Sequence, residues 1–144
     1  YYYMNNKLDI PTLLKALDNE SNKNIMDQNY NEIQEMKINI LKELELPIEK
    51  FNLFINSLKE YKFVNEIPDL NYGHYIRWIS LKNPSNIKLT NGGIFCNIKI
   101  NNSVSLLCKN NQNHFFEIKF DENLIFQKLT NQEKLLLDVI NYLN

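Results

Sequence analysis

The sequence predicts an α+β fold: N-terminal helices packed on a small five-stranded antiparallel barrel or bent sheet, with a C-terminal helix. Three observations carry this. Across residues 11–61, apolar side chains recur at three- and four-residue steps, the period of an amphipathic helix. Residues 73–129 break into about five short apolar runs separated by Asn-rich turns, the pattern of antiparallel strands. After residue 130 the helical spacing returns behind a capping signal. A chain of 144 residues, 44% of them apolar, can build one domain or a small domain with a helical annex. The expected organisation is a helical segment, 1–66, and a small barrel with its C-terminal helix, 67–144, either as two parts or as one compact domain.

Pro11 sits where a first-turn proline would, behind Asp9 as a cap, and Leu13, Leu14 and Leu17 then give a short helix to about Asn19. After a polar linker, Met26, Tyr30, Ile33, Met36, Ile40 and Leu44 define one helical face, with Asp27, Glu32, Glu35 and Glu43 on or near the other side. Pro47 cannot continue that helix but can begin the next, whose stripe is Ile48, Phe51, Phe54, Ile55 and Leu58. Residues 25–61 therefore read as a helical hairpin hinged at Leu46–Pro47, and Lys62 to Tyr72 as the crossing into the strands.

Within the strand region, Ile94, Cys96, Ile98 and Ile100 alternate with Phe95, Asn97 and Lys99, and Val104, Leu106 and Cys108 alternate with Ser105, Leu107 and Lys109. A three-residue connection, Asn101–Ser103, sets Ile100 opposite Val104, Ile98 opposite Leu106 and Cys96 opposite Cys108. A two-residue turn would oppose Ile98 to Ser105 and break the facing pattern. Both cysteines are thus expected side by side in the core. Gly92-Gly93 allows a bulge or sharp bend before that strand. Phe116, Ile118 and Phe120 are expected on the inner face of the next strand. Thr130-Asn131-Gln132-Glu133 fits a capping box, and Leu136, Val139, Ile140 and Leu143 form a stripe that must bury against the barrel's open end or the N-terminal hairpin.

Charge is unevenly spread. Residues 1–72 hold eight lysines against twelve acids, net −4, whereas residues 73–129 hold seven basic groups against three acids, net +4. Such polarity steers anionic partners toward the strands, or simply lets the two halves complement each other. Asn occurs 25 times and Arg once against 15 Lys, a bias expected of an AT-rich coding genome. No apolar run approaches a membrane span, and no basic-then-apolar leader is visible, so neither membrane insertion nor a secretory signal is expected. Two cysteines without a disulfide framework point to a reducing intracellular compartment.

No catalytic or cofactor motif stands out. His74, Cys96, Cys108 and His114 are a zinc-capable set, but their spacing matches no zinc knuckle. A disulfide between the two cysteines is geometrically feasible, and the simpler reading is two reduced, buried thiols. There is no G-x-S-x-G, and Leu89-Thr90-Asn91-Gly92-Gly93 lacks the Gly-Lys-Ser/Thr of a phosphate loop. Catalytic residues, cofactors and metal ligands are therefore assigned to none. The candidate binding surface is Tyr75, Arg77, Trp78, Lys82 and Lys88, aromatics interleaved with bases as in barrels that hold single-stranded nucleic acid. The same set also describes an amphipathic strand with Trp78 in the core.

The GHYIRWI opening, the LTNGG before a strand and the IFQK close resemble small SH3-like barrels, and more faintly uncharacterised proteins of large DNA viruses. That resemblance covers about 57 residues. It implies no catalytic residues; it implies a binding or assembly module, in a virus particle or its expression machinery. Residues 40–64 resemble the helix-turn-helix of winged-helix proteins, with Pro47 opening the second helix and Lys62-Phe63-Val64 starting the wing, although the exposed residues are nearly balanced in charge. The expected function is a non-enzymatic protein-interaction or structural module that self-associates or binds a protein partner. The alternative is a nucleic-acid-binding small barrel or winged-helix-like module.

Overall fold

A computed structural model of the chain describes residues 10–19, 22, 25 and 28–143. Among them the helices are α1 (Ile10–Asp18), α2 (Tyr30–Lys42), α3 (Ile48–Ser57) and α4 (Asn131–Leu143). The strands are β1 (Tyr61–Val64), β2 (Tyr75–Ser80), β3 (Gly93–Ile100), β4 (Val104–Lys109), β5 (Phe115–Lys119) and β6 (Asn123–Lys128). The fold is α+β, as the sequence predicts. The cap at Asp9, together with Met26 and Asp27, lies outside the described residues. Contacts gather into two compact units, Tyr1–Gln34 with Leu129–Asn144, and Glu35–Lys128.

In the first unit Ala16, Ile25, Ile33, Leu129, Leu136 and Leu137 form a small core, with Leu13 against it. The capping box at the start of α4 is present: the Glu133 amide donates to Thr130 Oγ1 at 3.1 Å, and the Thr130 amide to Glu133 Oε1 at 2.9 Å. The α4 stripe is phased differently from its prediction, because Leu137 is buried and Leu143 is exposed. Asn22, also buried, donates to the Ala16 carbonyl at 2.8 Å and to Gln132 Oε1 at 3.1 Å.

The second unit is built on one antiparallel sheet in the order β1-β6-β2-β3-β4-β5. Among the described residues the sheet has six strands: the five expected within residues 73–129 are β2 to β6, and a sixth precedes them. Tyr61–Val64, read from sequence as the helix end and the start of a crossing, is β1, and it pairs with β6. Four residues with a lysine in second place are too short for alternation to announce a strand. The same strand explains why the sheet is not a closed barrel. β6 is hydrogen-bonded to β2 on one side and to β1 on the other, so it has no free edge onto which β5 could close. β6 is correspondingly buried on both faces: Leu124 and Phe126 belong to one apolar cluster and Ile125 to another, while Gln127 is fully buried. Gln127 Oε1 accepts the Asn71 amide at 2.8 Å and so ties the 65–74 connection to the sheet.

One sheet face packs against α2 and α3 through Leu41, Phe54 and Leu58, which meet Tyr61, Ile79, Leu124 and Phe126. The opposite face holds Val64, Ile76, Phe95, Leu106, Cys108 and Ile125. On α2 the buried positions are Ile33, Lys37 and Leu41, a stripe rotated from the predicted one, with Tyr30 and Met36 exposed. Lys37 sits in that stripe because its ammonium caps the end of α3. Its Nζ donates to the carbonyls of Leu58 at 2.8 Å and Tyr61 at 2.9 Å, with Lys59 at 3.5 Å. Leu58 and Lys59 directly follow α3, at the negative end of the helix dipole, and Tyr61 opens β1.

At the β3–β4 hairpin the three-residue connection holds, with Ile100 opposite Val104 and Ile98 opposite Leu106. The pairing of Cys96 with Cys108 does not. A bulge between Phe95 and Asn97 takes Cys96 out of the ladder and sets Phe95 opposite Cys108. The extra residue lets Phe95 turn inward, where it is buried and stacks on Tyr72 at 5.1 Å between ring centroids. A phenyl ring buries far more apolar area than a thiol, so burial favours the bulged register. The bulge lies three residues beyond the glycine pair. Gly93 serves a different end, because a Cβ there would meet the Lys109 carbonyl oxygen at 2.6 Å.

Candidate interaction surface

Among the described residues β5 is the last strand of the sheet and pairs only with β4. Its turn is fixed by Asn110, whose Oδ1 accepts the amides of Gln112 and His114, both at 2.9 Å, and by Asn113 in the left-handed region at φ 62°. The Asn110 amide donates to the His114 carbonyl at 2.9 Å, which sets the phase of the ladder. In an antiparallel pair, hydrogen-bonded and non-hydrogen-bonded partners alternate. Phe116 and Ile118 therefore direct their backbone groups at Cys108 and Leu106, and Phe115, Glu117 and Lys119 direct theirs away from the sheet.

The side chains of this edge are unusually apolar for an outer strand. Phe115 is 61% exposed and Phe116 43%, and Ile94 and Ile100 on β3, two strands in from the edge, are also exposed. Phe116 was expected inside, and at the sheet's edge no further strand covers it. Glu117 and Lys119 are the charged residues of the strand, placed as charges that guard an edge usually are. They make loose exposed ion pairs, Glu117 with Lys99 at 3.7 Å and Lys119 with Glu122 at 3.9 Å.

Beside the edge lies a shallow hollow of about 330 Å³, bordered by Trp78, Ser80, Lys82, Glu117, Lys119 and Glu122, among others. Two of the five candidate residues, Trp78 and Lys82, meet there. Lys82 is bridged to Glu122 at 3.1 Å. Strand alternation sends the others elsewhere. Tyr75 packs against the cluster under the helices and donates its hydroxyl to the Asn91 carbonyl at 2.7 Å. Arg77 donates from Nε to the Thr90 carbonyl at 2.8 Å and from Nη1 to the Ser57 carbonyl at 3.5 Å. With Lys37 it is thus a second cation at the end of α3. Trp78 is half-buried against the opposite cluster, and Lys88 is exposed. No single face presents all five residues.

The loop that carries Lys88 and Asn91 returns across β2 with the help of Gly92. That residue lies at φ +86°, and a Cβ there would collide with the Ile76 carbonyl oxygen. The cysteines are both reduced. Cys108 is buried and Cys96 half-buried, and burial pushes the Cys108 thiol up to about 12. Among the described residues no three His, Cys, Asp or Glu side chains gather as metal ligands would, and no helix is long and apolar enough to cross a membrane.

Comparison with protein-family models, with curated proteins and with solved structures finds no match for this chain.

Proposed function

We propose that the chain is a non-enzymatic protein-interaction or assembly module that binds through the outer edge of its sheet. The observation that carries this is β5, which presents exposed Phe115 and Phe116 together with outward backbone groups that no further strand among the described residues pairs with. An exposed apolar edge is costly in isolation and is the usual template for adding a strand from another chain. The order β6-β2-β3-β4-β5, a four-strand meander β2 to β5 after which β6 returns beside β2, also supports the small SH3-like barrel reading of residues 73–129, opened by β1. Exposed Ile48 and Leu53 on α3 add apolar surface of the kind an assembly module carries.

The nucleic-acid alternative is favoured only by the meeting of Trp78 with Lys82 and Lys119 at one hollow, and Glu117 and Glu122 line the same hollow. Two measurements separate the readings. Light scattering and affinity capture with the wild type and a Phe115→Ser/Phe116→Ser variant are expected to show association that the variant loses. A strict monomer that retains no partner overturns the proposal. Fluorescence anisotropy with short single strands at low salt is expected to show no binding, and salt-sensitive affinity there favours the alternative.

A further inference from the structure

We infer that the partner of the β5 edge is a second copy of this chain, paired antiparallel with Ile118 on the twofold axis; this rests on the edge-binding function proposed above. The sequence from 116 to 120 is Phe-Glu-Ile-Lys-Phe, which on reversal keeps its apolar residues in place and exchanges the acid for the base. A twofold through Ile118 places Glu117 opposite Lys119 of the second copy, and Lys119 opposite its Glu117. Isoleucine meets isoleucine at the centre, and Phe116 falls beside the other copy's Phe120.

The backbone phase agrees with this register. Ile118 directs its amide and carbonyl at Leu106, so an Ile118–Ile118 contact is a non-hydrogen-bonded pair, the type that brings side chains closest. Glu117 and Lys119 point outward and become the hydrogen-bonded pairs on either side. Lys119 remains extended at φ −86°, ψ 131°, so the ladder reaches it before the chain turns. Its carbonyl already accepts Asn123 Nδ2 at 2.8 Å, and the second lone pair is left for the ladder.

Charge selects among the registers that keep the outward groups paired. Centring on Glu117 sets two glutamates face to face. Centring on Phe116 gives neither Glu117 nor Lys119 an opposite charge. Only the Ile118 register satisfies both, so the charges that would repel most foreign strands favour a second copy. The present ion pairs of Glu117 and Lys119 are exposed and long, and exchanging them for cross-strand pairs loses little.

Sedimentation velocity across a concentration series tests the assignment. The wild type is expected to form a dimer. Glu117→Lys and Lys119→Glu each place like charges opposite at two symmetric positions and are expected to weaken it by about tenfold or more. The double variant Glu117→Lys/Lys119→Glu restores opposite charges and is expected to regain the dimer. Circular dichroism checks that each variant stays folded. In a Cys96→Ser background, Ile118→Cys is expected to cross-link two chains on mild oxidation and Glu117→Cys to cross-link far less. The inference is overturned by a monomeric wild type, by single variants that dimerise as well as the wild type, by a double variant that does not recover, or by preferential cross-linking at position 117. A monomer that still captures a partner through Phe115 and Phe116 overturns this inference and leaves the proposed function standing.

Discussion

Replacing Lys37 by methionine isolates a cation that the fold encloses. Its side chain is fully buried, and its three N–H groups face the carbonyls of Leu58, Lys59 and Tyr61. Burial lowers its pKa from 10.5 to about 8. At about 1.4 kcal/mol per pH unit, holding the ammonium charged inside the fold costs roughly 3 kcal/mol relative to water. The sign follows from which state binds the proton. Below pH 8 both folded and unfolded chains carry the charge, and the cost is felt in full. Between 8 and 10.5 the unfolded chain keeps a proton that the folded chain has shed, so stability rises with pH. Two groups act in the opposite sense at higher pH: Cys108, raised from 9.0 to about 12, and Tyr61, raised from 10.0, both mainly by burial. Each loses stability as pH climbs above its unfolded value, which leaves the window from 8 to 9 for Lys37 to dominate. Urea denaturation followed by Trp78 fluorescence is expected to show a gain of about 1 kcal/mol from pH 7.5 to 9. Methionine fills the space of the stem but removes the ammonium's hydrogen bonds to the three carbonyls, while the Leu58 carbonyl keeps the Tyr61 amide at 3.0 Å. Lys37→Met is expected to cost about 1–3 kcal/mol at pH 7.5, and more at pH 9. A wild type flat across that window, or a variant that shares its rise, refutes the reasoning.

Gly92→Ala is expected to destabilise by at least about 2 kcal/mol, since it combines a left-handed backbone with a collision against the Ile76 carbonyl. Gly73→Ala is the control: it has a similar positive φ but nothing near its Cβ, and only about 1–2 kcal/mol is expected. Equal shifts in melting temperature would show that the close approach over β2 does not matter. In the native state a thiol reagent is expected to label Cys96 and to reach Cys108 only on unfolding, because one is half-buried and the other is enclosed with its thiol shifted up. Labelling at equal rates, or a Cys96–Cys108 disulfide on mild oxidation, would restore the unbulged register.

Local chemistry was the legible part of this chain. The helix boundary at Pro47, the capping box at Thr130–Glu133 and the three-residue hairpin at Asn101–Ser103 each depend on a few neighbouring residues, and each stands in the structure as read. What failed depended on partners distant in sequence. Alternation alone put Cys96 inside, and a bulge that buries Phe95 under Tyr72 reversed it. The α2 stripe was phased on apolar residues, so Lys37 looked like solvent surface until α3 supplied its carbonyls. For the candidate surface, the period of a strand puts Tyr75 and Arg77 on one face and Trp78 on the other.

By itself, then, the sequence determined the α+β class, the order of most elements and the places where turns and caps must fall, because these follow from backbone preferences over a handful of residues. Only the tertiary structure decided that β1 occupies the free edge of β6. That one long-range pairing keeps the sheet open and leaves β5, with Phe115 and Phe116, as its exposed end. Which strand ends up at an edge depends on hydrogen bonds made across the chain, and no local pattern of apolar residues encodes it.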